Sequence, residues 1–487
     1  MKIAFYLSNA NCHTDCTQIE KGNPGIGGTE YEITAISYFL TTKYKSIHSI
    51  FVLAENTSLL PPKMNVLKVQ NYKDAYTIAL QNGIKCLIIQ NSPITNNIVK
   101  LEEIHNGGLK LIIWAHSFMS RQQLNLYASS KNVIQIVCVG HEERLLFLDH
   151  KAYKKSIVIF NGFSTDINKN FFIPFQERKK EVTFLASIVP HTNFHILAKA
   201  WKEITNIFPD AHLNVIGSGN LYNKNTKLGK WGIAEENYEK VFMPYLLDKN
   251  GKILSSVTFY GKMGNEKYEI LGKTKVGVPN PGGYETFCIS ALEMQLYGSL
   301  VTTIQKGGFI DTVYNRDHLY HSTNQLTSYI VKLLNETDND YNKFLLFFDK
   351  NFSFKEICKQ WNTLFDNIEN GLPYIKTEYK PAYPNKWYYF SKCNKVLKDF
   401  IPLGYKILPS TLFIKTVIKK LKFDTKTMKT AVVLTKYDSE EPCTDKYSTK
   451  RLASVIGCED YELLLKLYEA ENRPNADNAQ NIYNEVI

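Results

Sequence analysis

The chain reads as an α/β protein of two doubly wound, Rossmann-like domains facing a cleft, followed by a lysine-rich, largely helical extension. Three observations predict this. Short apolar runs alternate with amphipathic helical stretches from residue 2 to about residue 370, the rhythm of parallel βαβ units. A length of 487 residues exceeds what one core usually supports, so two domains and an appendage are expected. The rhythm stops at Gly371, where Pro381, Pro384, Pro402 and Pro409 punctuate a stretch rich in lysine and aromatics. The expected parts are 1–163 and 164–372, a basic aromatic segment 373–429 and a partly helical tail 430–487.

In the first part, Lys2 to Leu7 reads as a strand, and Gly22-Asn23-Pro24-Gly25-Ile26-Gly27-Gly28 precedes an apolar helix through Ile33, Ile36 and Phe39. Strand, glycine loop, helix lets backbone N–H groups approach an anion closely, although a simple tight turn explains the same residues. Further strands are expected at Ser49 to Ala54, Cys86 to Gln90, Leu111 to Ala115 and Ile134 to Val139. His116 falls at the carboxyl end of one, where doubly wound sheets collect ligands; a packing role is the competing reading. Ile157 to Phe160 then runs into the turn dipeptide Asn161-Gly162.

The second part repeats the pattern. Strands are expected at Val182 to Ala186, Leu213 to Gly217, Val257 to Lys262, Thr274 to Val278 and Leu300 to Ile304, with a helix from Phe194 to Ile207. Its centre is Pro279-Asn280-Pro281-Gly282-Gly283-Tyr284-Glu285-Thr286-Phe287-Cys288-Ile289, a loop leading into an apolar helical stripe at Ile289, Leu292 and Leu296. Glu285 is placed at the loop-to-helix junction and Glu293 inside the helix. At about 1.5 Å rise per residue the carboxylates lie about 12 Å apart along the axis. That exceeds the roughly 5 to 10 Å of a glycosidase pair. It suits the two ends of a long ligand whose phosphate sits at the helix N-terminus between them.

Composition narrows the class further. No run approaches the ~18 apolar residues of a membrane span, and the first residues carry no basic region or cleavage site, so a cytoplasmic protein is expected. Nine scattered cysteines fit reduced thiols, and Cys12-His13-Thr14-Asp15-Cys16 lacks a second pair to complete a metal site, so it reads as a polar loop. The net charge of +11 is concentrated late: residues 374–429 hold 13 lysines and no arginine against Glu378, Asp399 and Asp424. In residues 409–423, Ile414, Val417, Ile418 and Leu421 share one helical face and Lys415, Lys419 and Lys422 another. The pattern suits either an interfacial helix on the anionic inner face of a membrane or a helix packed on the protein with its lysines in water. Without arginine or a recognised module, nucleic acid is not an expected partner.

In order along the chain, Gly27-Gly28-Thr29-Glu30, His116, Val139-Gly140-His141-Glu142, Asn161-Gly162, Gly217-Ser218-Gly219, Tyr260-Gly261, the Glu285/Glu293 pair and Gly307-Gly308 resemble the motif series of the retaining GT-B glycosyltransferases of family 4, the glycosyl transferases group 1. Glu285-Thr286-Phe287-Cys288 is similar to the family's Glu-Gly-Phe-Gly. A helix at 353–369 corresponds to the one that crosses back to the first domain. Coverage is roughly residues 1–372. The resemblance implies a nucleotide diphosphate sugar donor, UDP-linked, and a glycan, lipid-linked or protein acceptor. It implies no cofactor and no metal.

Residue by residue, the resemblance implies that Glu293 binds the donor ribose and that Glu285 contacts the transferred sugar, with His116 touching that sugar from the facing domain. Gly27 and Gly28 would lie against the diphosphate. Thr286, Phe287, Cys288 and Ile289 would line the donor at the helix start, and Gly261 would belong to the donor wall. The family's Gly-Arg and Lys phosphate clamps are absent: those positions read Ala186-Ser187 and His191-Thr192, leaving Lys262, Lys306 and His191 as substitutes. That departure also admits a non-catalytic sugar- or nucleotide-binding protein on the same scaffold.

Overall fold

The computed structural model describes residues 1–164, 169–220, 226–372, 429–430, 433, 442–443, 445–470 and 476–486. The basic segment 409–423 lies outside them.

Seven parallel strands form the first sheet: β1 (Lys2–Leu7), β2 (Ser49–Ala54), β3 (Val66–Lys68), β4 (Cys86–Gln90), β5 (Lys110–Ala115), β6 (Val133–Cys138) and β7 (Ser156–Val158). Their order is β3-β2-β1-β4-β5-β6-β7. The order reverses between β1 and β4, registered from Ile3 opposite Cys86 to Tyr6 opposite Ile89. The inner strands are apolar on both faces, as a sheet covered by helices on both sides requires.

The second sheet is parallel and five-stranded: β8 (Glu181–Leu185), β9 (His212–Ile216), β10 (Val257–Gly261), β11 (Val276–Gly277) and β12 (Leu300–Val301), in the order β10-β9-β8-β11-β12. Its switch point lies between β8 and β11. The run expected as one strand from Leu300 to Ile304 is two: Thr302 turns its hydroxyl to His318 O at 2.7 Å, and β13 (Thr303–Ile304) pairs with β14 (Leu319–Tyr320). The helix Phe194–Ile207 spans the residues expected.

A last long helix, Phe354–Glu369, starts at the Ser353 cap and lies on the first sheet. Trp361 packs edge-on against Phe5 and Trp114 at 5.8 and 4.9 Å between ring centroids. Polar ties flank it: the Met1 ammonium to Glu369 at 2.7 Å, His48 to Asp366 at 2.9 Å, and Lys110 to Ile368 O at 3.1 Å. Both sheets and this helix belong to one compact unit.

A second unit gathers Met119–Ser129, Leu146–Lys154 and three C-terminal helices, Lys446–Ile456, Cys458–Ala470 and Ala476–Val486. These helices share a small core of Ala453, Tyr461, Leu464, Leu465, Tyr468, Ala479 and Tyr483. The Asn-rich end forms the last of these helices: Ala479 and Tyr483, one turn apart, are buried in that core and fix it. No helix among the described residues is long and apolar enough to cross a membrane.

Candidate active site

The glycine loop after β1 is held by Asn23, whose Oδ1 accepts from the N–H groups of Gly25 and Ile26 at 2.9 Å each. Gly22 and Gly25 take φ of +119° and +89°. A Cβ on Gly22 would meet the Tyr268 hydroxyl at 2.3 Å, and one on Gly25 would meet Met263 O at 2.7 Å. Glycine is therefore required by the close approach of the loop that follows β10. Gly27 is the N-cap of the helix Gly28–Thr41, and a Cβ on Gly28 would stand 3.2 Å from Ile289 Cδ1. The glycine loop of the first sheet thus meets the start of the helix Ile289–Leu296 of the second.

That helix carries Glu293 in its interior, as expected. Its carboxylate is buried in an ion pair with Lys267 Nζ, 3.0 Å from Oε1, the two side chains 5% and 4% exposed. Tyr268 donates to the same Oε1 at 3.2 Å. Lys267 also donates to Asn23 O at 2.8 Å, tying the glycine loop to the second sheet. The sequence reading missed Lys267: it stands 26 positions before Glu293, beyond any helical spacing.

Glu285 sits in the loop three residues before the Cys288 N-cap. Burial raises its affinity for a proton, and a 2.8 Å hydrogen bond from Asn280 Nδ2 to Oε1 opposes that. Among the described residues no acceptor takes the backbone N–H groups of Phe287 and Cys288. The Phe287 ring is buried against Phe160 and Phe352, and the Cys288 thiol is pushed up to about 12 by burial, then by the Glu285 charge. Thr286 Oγ1 donates to His116 O at 3.0 Å, placing this loop against the end of β5.

Among the described residues His116 makes one ring hydrogen bond, Nε2 to Asn161 Oδ1 at 3.1 Å, and its buried Nδ1 has no partner. Burial lowers its pKa to about 3, so the ring is neutral at physiological pH. A second bond set joins the sheets nearby. Asp311 accepts from the His141 backbone at 2.8 Å and lies 3.0 Å from its Nδ1. Beside it, Glu142 is pushed up to about 7, by burial first and then by the Asp311 charge. Asp311 escaped the sequence reading because it touches His141 across 170 positions.

Gly261 closes β10 at φ +70° and accepts from Gly217 N at 2.9 Å. Of the substitute cations, Lys262 reaches the glycine loop: its Cε stands 3.3 Å from a Cβ placed on Gly25, and its Nζ donates to Thr14 at 3.1 Å. Lys306 is exposed beside Gly307, and His191 is exposed with its carbonyl turned to Asn280. Ser187 and Thr192 are buried, the Thr192 hydroxyl spent on Ser187 O at 2.6 Å. Among the described residues no three His, Cys, Asp or Glu side chains group as metal ligands. A polar cavity of about 240 Å³, lined by residues including His318, Lys332 and Asp340, lies apart from these groups and contains none of them.

Two parallel sheets whose carboxyl ends converge on a glycine loop and a helix start define the GT-B glycosyltransferase fold. Residues 165–344 match the family model of the glycosyl transferases group 1, which bears out the resemblance to that group for the part of the motif series from Gly217 to Gly308. Solved structures agree in fold. The chain superposes on the sucrose-phosphate synthase of Thermosynechococcus elongatus with a TM-score of 0.57 at 14% identity, over 76% of this chain and 100% of that one. Anabaena Alr3699/HepE in complex with UDP-glucose gives 0.55 at 14%, over 75% and 100%. The lipopolysaccharide outer core galactosyltransferase WaaB gives 0.53 at 12%, over 75% and 100%. No curated protein sequence matches the chain.

Proposed function

We propose that the protein is a glycosyltransferase that moves a hexose from a UDP-sugar to a glycan, lipid-linked or protein acceptor with retention of anomeric configuration. One observation carries the reading: Gly28 abuts Ile289, at the start of a helix flanked by Glu285 and Glu293. A diphosphate between Gly28 and the free N–H groups of Phe287 and Cys288 would meet oriented donors and the positive end of the helix. HepE, similar in fold, is recorded with UDP-glucose.

In this reading Glu285 accepts hydroxyl hydrogen bonds from the transferred sugar, and His116 offers it a neutral imidazole. Glu293 accepts from the ribose through Oε2, since Lys267 and Tyr268 both end on Oε1. Lys262, beside the glycine loop, is the cation placed to offset charge on the departing phosphate. That phosphate takes the acceptor's proton, so no protein base is assigned. No cofactor or metal is assigned either. A lipid-linked acceptor would give the basic segment 409–423 a use at an anionic membrane surface.

The binding-only alternative draws on Ser187 and Thr192, both buried and uncharged where the family resemblance implies phosphate-binding cations. Incubation of the full chain with a panel of nucleotide sugars separates the two. Release of free UDP or sugar transfer supports the enzyme; a melting shift without turnover supports the binding module.

A further inference from the structure

The loop that carries Glu285 is organised by one buried amide side chain. Asn280, 1% exposed, stands just beyond β11, at the switch point of the second sheet. Its Oδ1 accepts from Gly283 N at 2.8 Å, Gly282 N at 3.3 Å and Asn193 Nδ2 at 3.3 Å. Its Nδ2 donates to His191 O at 3.2 Å and to Glu285 Oε1 at 2.8 Å. The backbone donors fix which end of the amide is oxygen, so the nitrogen faces the carboxylate of necessity. Asn280 O in turn accepts from the Thr303 hydroxyl. Gly283 is glycine for the same reason: a Cβ there would lie 2.5 Å from Asn280 Nδ2 and 2.7 Å from His191 O.

We propose that Asn280 is the positioning residue for Glu285, holding its carboxylate ionised and in one orientation while bracing the 191–193 turn against the 282–283 loop. The inference rests on the sugar-contacting role proposed for Glu285 and adds the group that keeps that carboxylate fit for it. A carboxylate partly withdrawn from water tends to take up a proton, and a neutral acid is a poorer acceptor for sugar hydroxyls. Asn280 supplies the opposing hydrogen bond to the charged form. The other titratable groups about Glu285 are Cys288 and Tyr284 on its own loop, His191 from the loop after β8, Lys306 next to Gly307, and His116 at the end of β5. Among the described residues none of these makes a side-chain hydrogen bond or ion pair with the Glu285 carboxylate, so the amide is its one direct polar partner there.

The experiment uses the full chain and two substitutions. Asn280→Asp keeps the acceptor for Gly282 and Gly283 but replaces the donor facing Glu285; Asn280→Ala removes both. With UDP-glucose hydrolysis or transfer as the activity, the acid limb of kcat should move up by about one pH unit or more in both, with activity recovering toward wild type at high pH. Loss of kcat by the same factor at every pH would overturn the proposal.

Melting midpoints from pH 5 to 8 give a readout that needs no turnover. A carboxyl whose folded pKa is raised favours the folded state at low pH, and that stability is lost as pH rises. The midpoint of Asn280→Ala should therefore fall more steeply with pH than that of wild type, and adding Glu285→Gln should remove the excess. An unchanged slope, or an excess that survives Glu285→Gln, refutes the inference. Absence of turnover in the wild-type chain would count against the proposed function and leave this measurement standing.

Discussion

Replacing Lys267 by Met tests how the two halves of the site are joined. The Lys267 ammonium lies 3.0 Å from Glu293 Oε1, with both side chains about 95% shielded, and also holds Asn23 O at 2.8 Å. Removing it leaves a buried carboxylate with the Tyr268 hydroxyl as its remaining hydrogen-bond donor among the described residues. Breaking a buried pair from one side costs about 3–5 kcal/mol, because the surviving charge has neither water nor a partner. The double variant Lys267→Met/Glu293→Gln leaves no unpaired charge. Its cost should fall below the sum of the single costs by about 2 kcal/mol or more. Urea unfolding of all four proteins, followed by tryptophan fluorescence, measures this coupling. Single costs under about 1 kcal/mol that simply add, the signature of a solvated pair, would refute the buried contact.

The remaining predictions concern activity, pH and the tail. Glu285→Ala should lower kcat by about 10²-fold or more while leaving UDP affinity nearly unchanged, as steady-state kinetics and calorimetry would show. Glu142, raised from 4.5 to about 7, favours the folded state below pH 4.5, and that contribution is lost as pH rises through 7. Two and a half units correspond to about 3 kcal/mol as an upper figure, and melting curves of Glu142→Gln should lack that decline. Full-length protein should float with anionic liposomes, and a chain ending at residue 372 should not; equal flotation would reject a membrane role for 409–423.

The β-α alternation was legible because each main strand is a five- or six-residue apolar run, and the helix 194–207 shows a regular buried face at Phe194, Leu197, Ala198, Trp201 and Ile204. The strands β3 and β14 were not legible: at three and two residues in polar surroundings, they lie in no apolar run and carry no pattern apart from the neighbours they pair with. Glu285, Glu293 and Gly28 stood out because motif order along the chain survives the loss of overall similarity. Lys267, Asp311 and Asn280 did not. Lys267 and Asp311 bond to groups distant in sequence, the amide of Asn280 meets Glu285 only through the fold of their shared loop, and one lysine, aspartate or asparagine in a loop has many ordinary uses.

The central claim, that a nucleotide diphosphate seats between Gly28 and the start of the helix Ile289–Leu296 with its ribose on Glu293, is tested most directly by calorimetric titration of UDP. Wild type and Glu285→Ala should bind UDP with similar affinity, and Glu293→Ala about tenfold or more weakly, in line with loss of a hydrogen bond to a charged acceptor. No UDP binding by the wild-type chain, or equal affinity in all three proteins, would contradict the account.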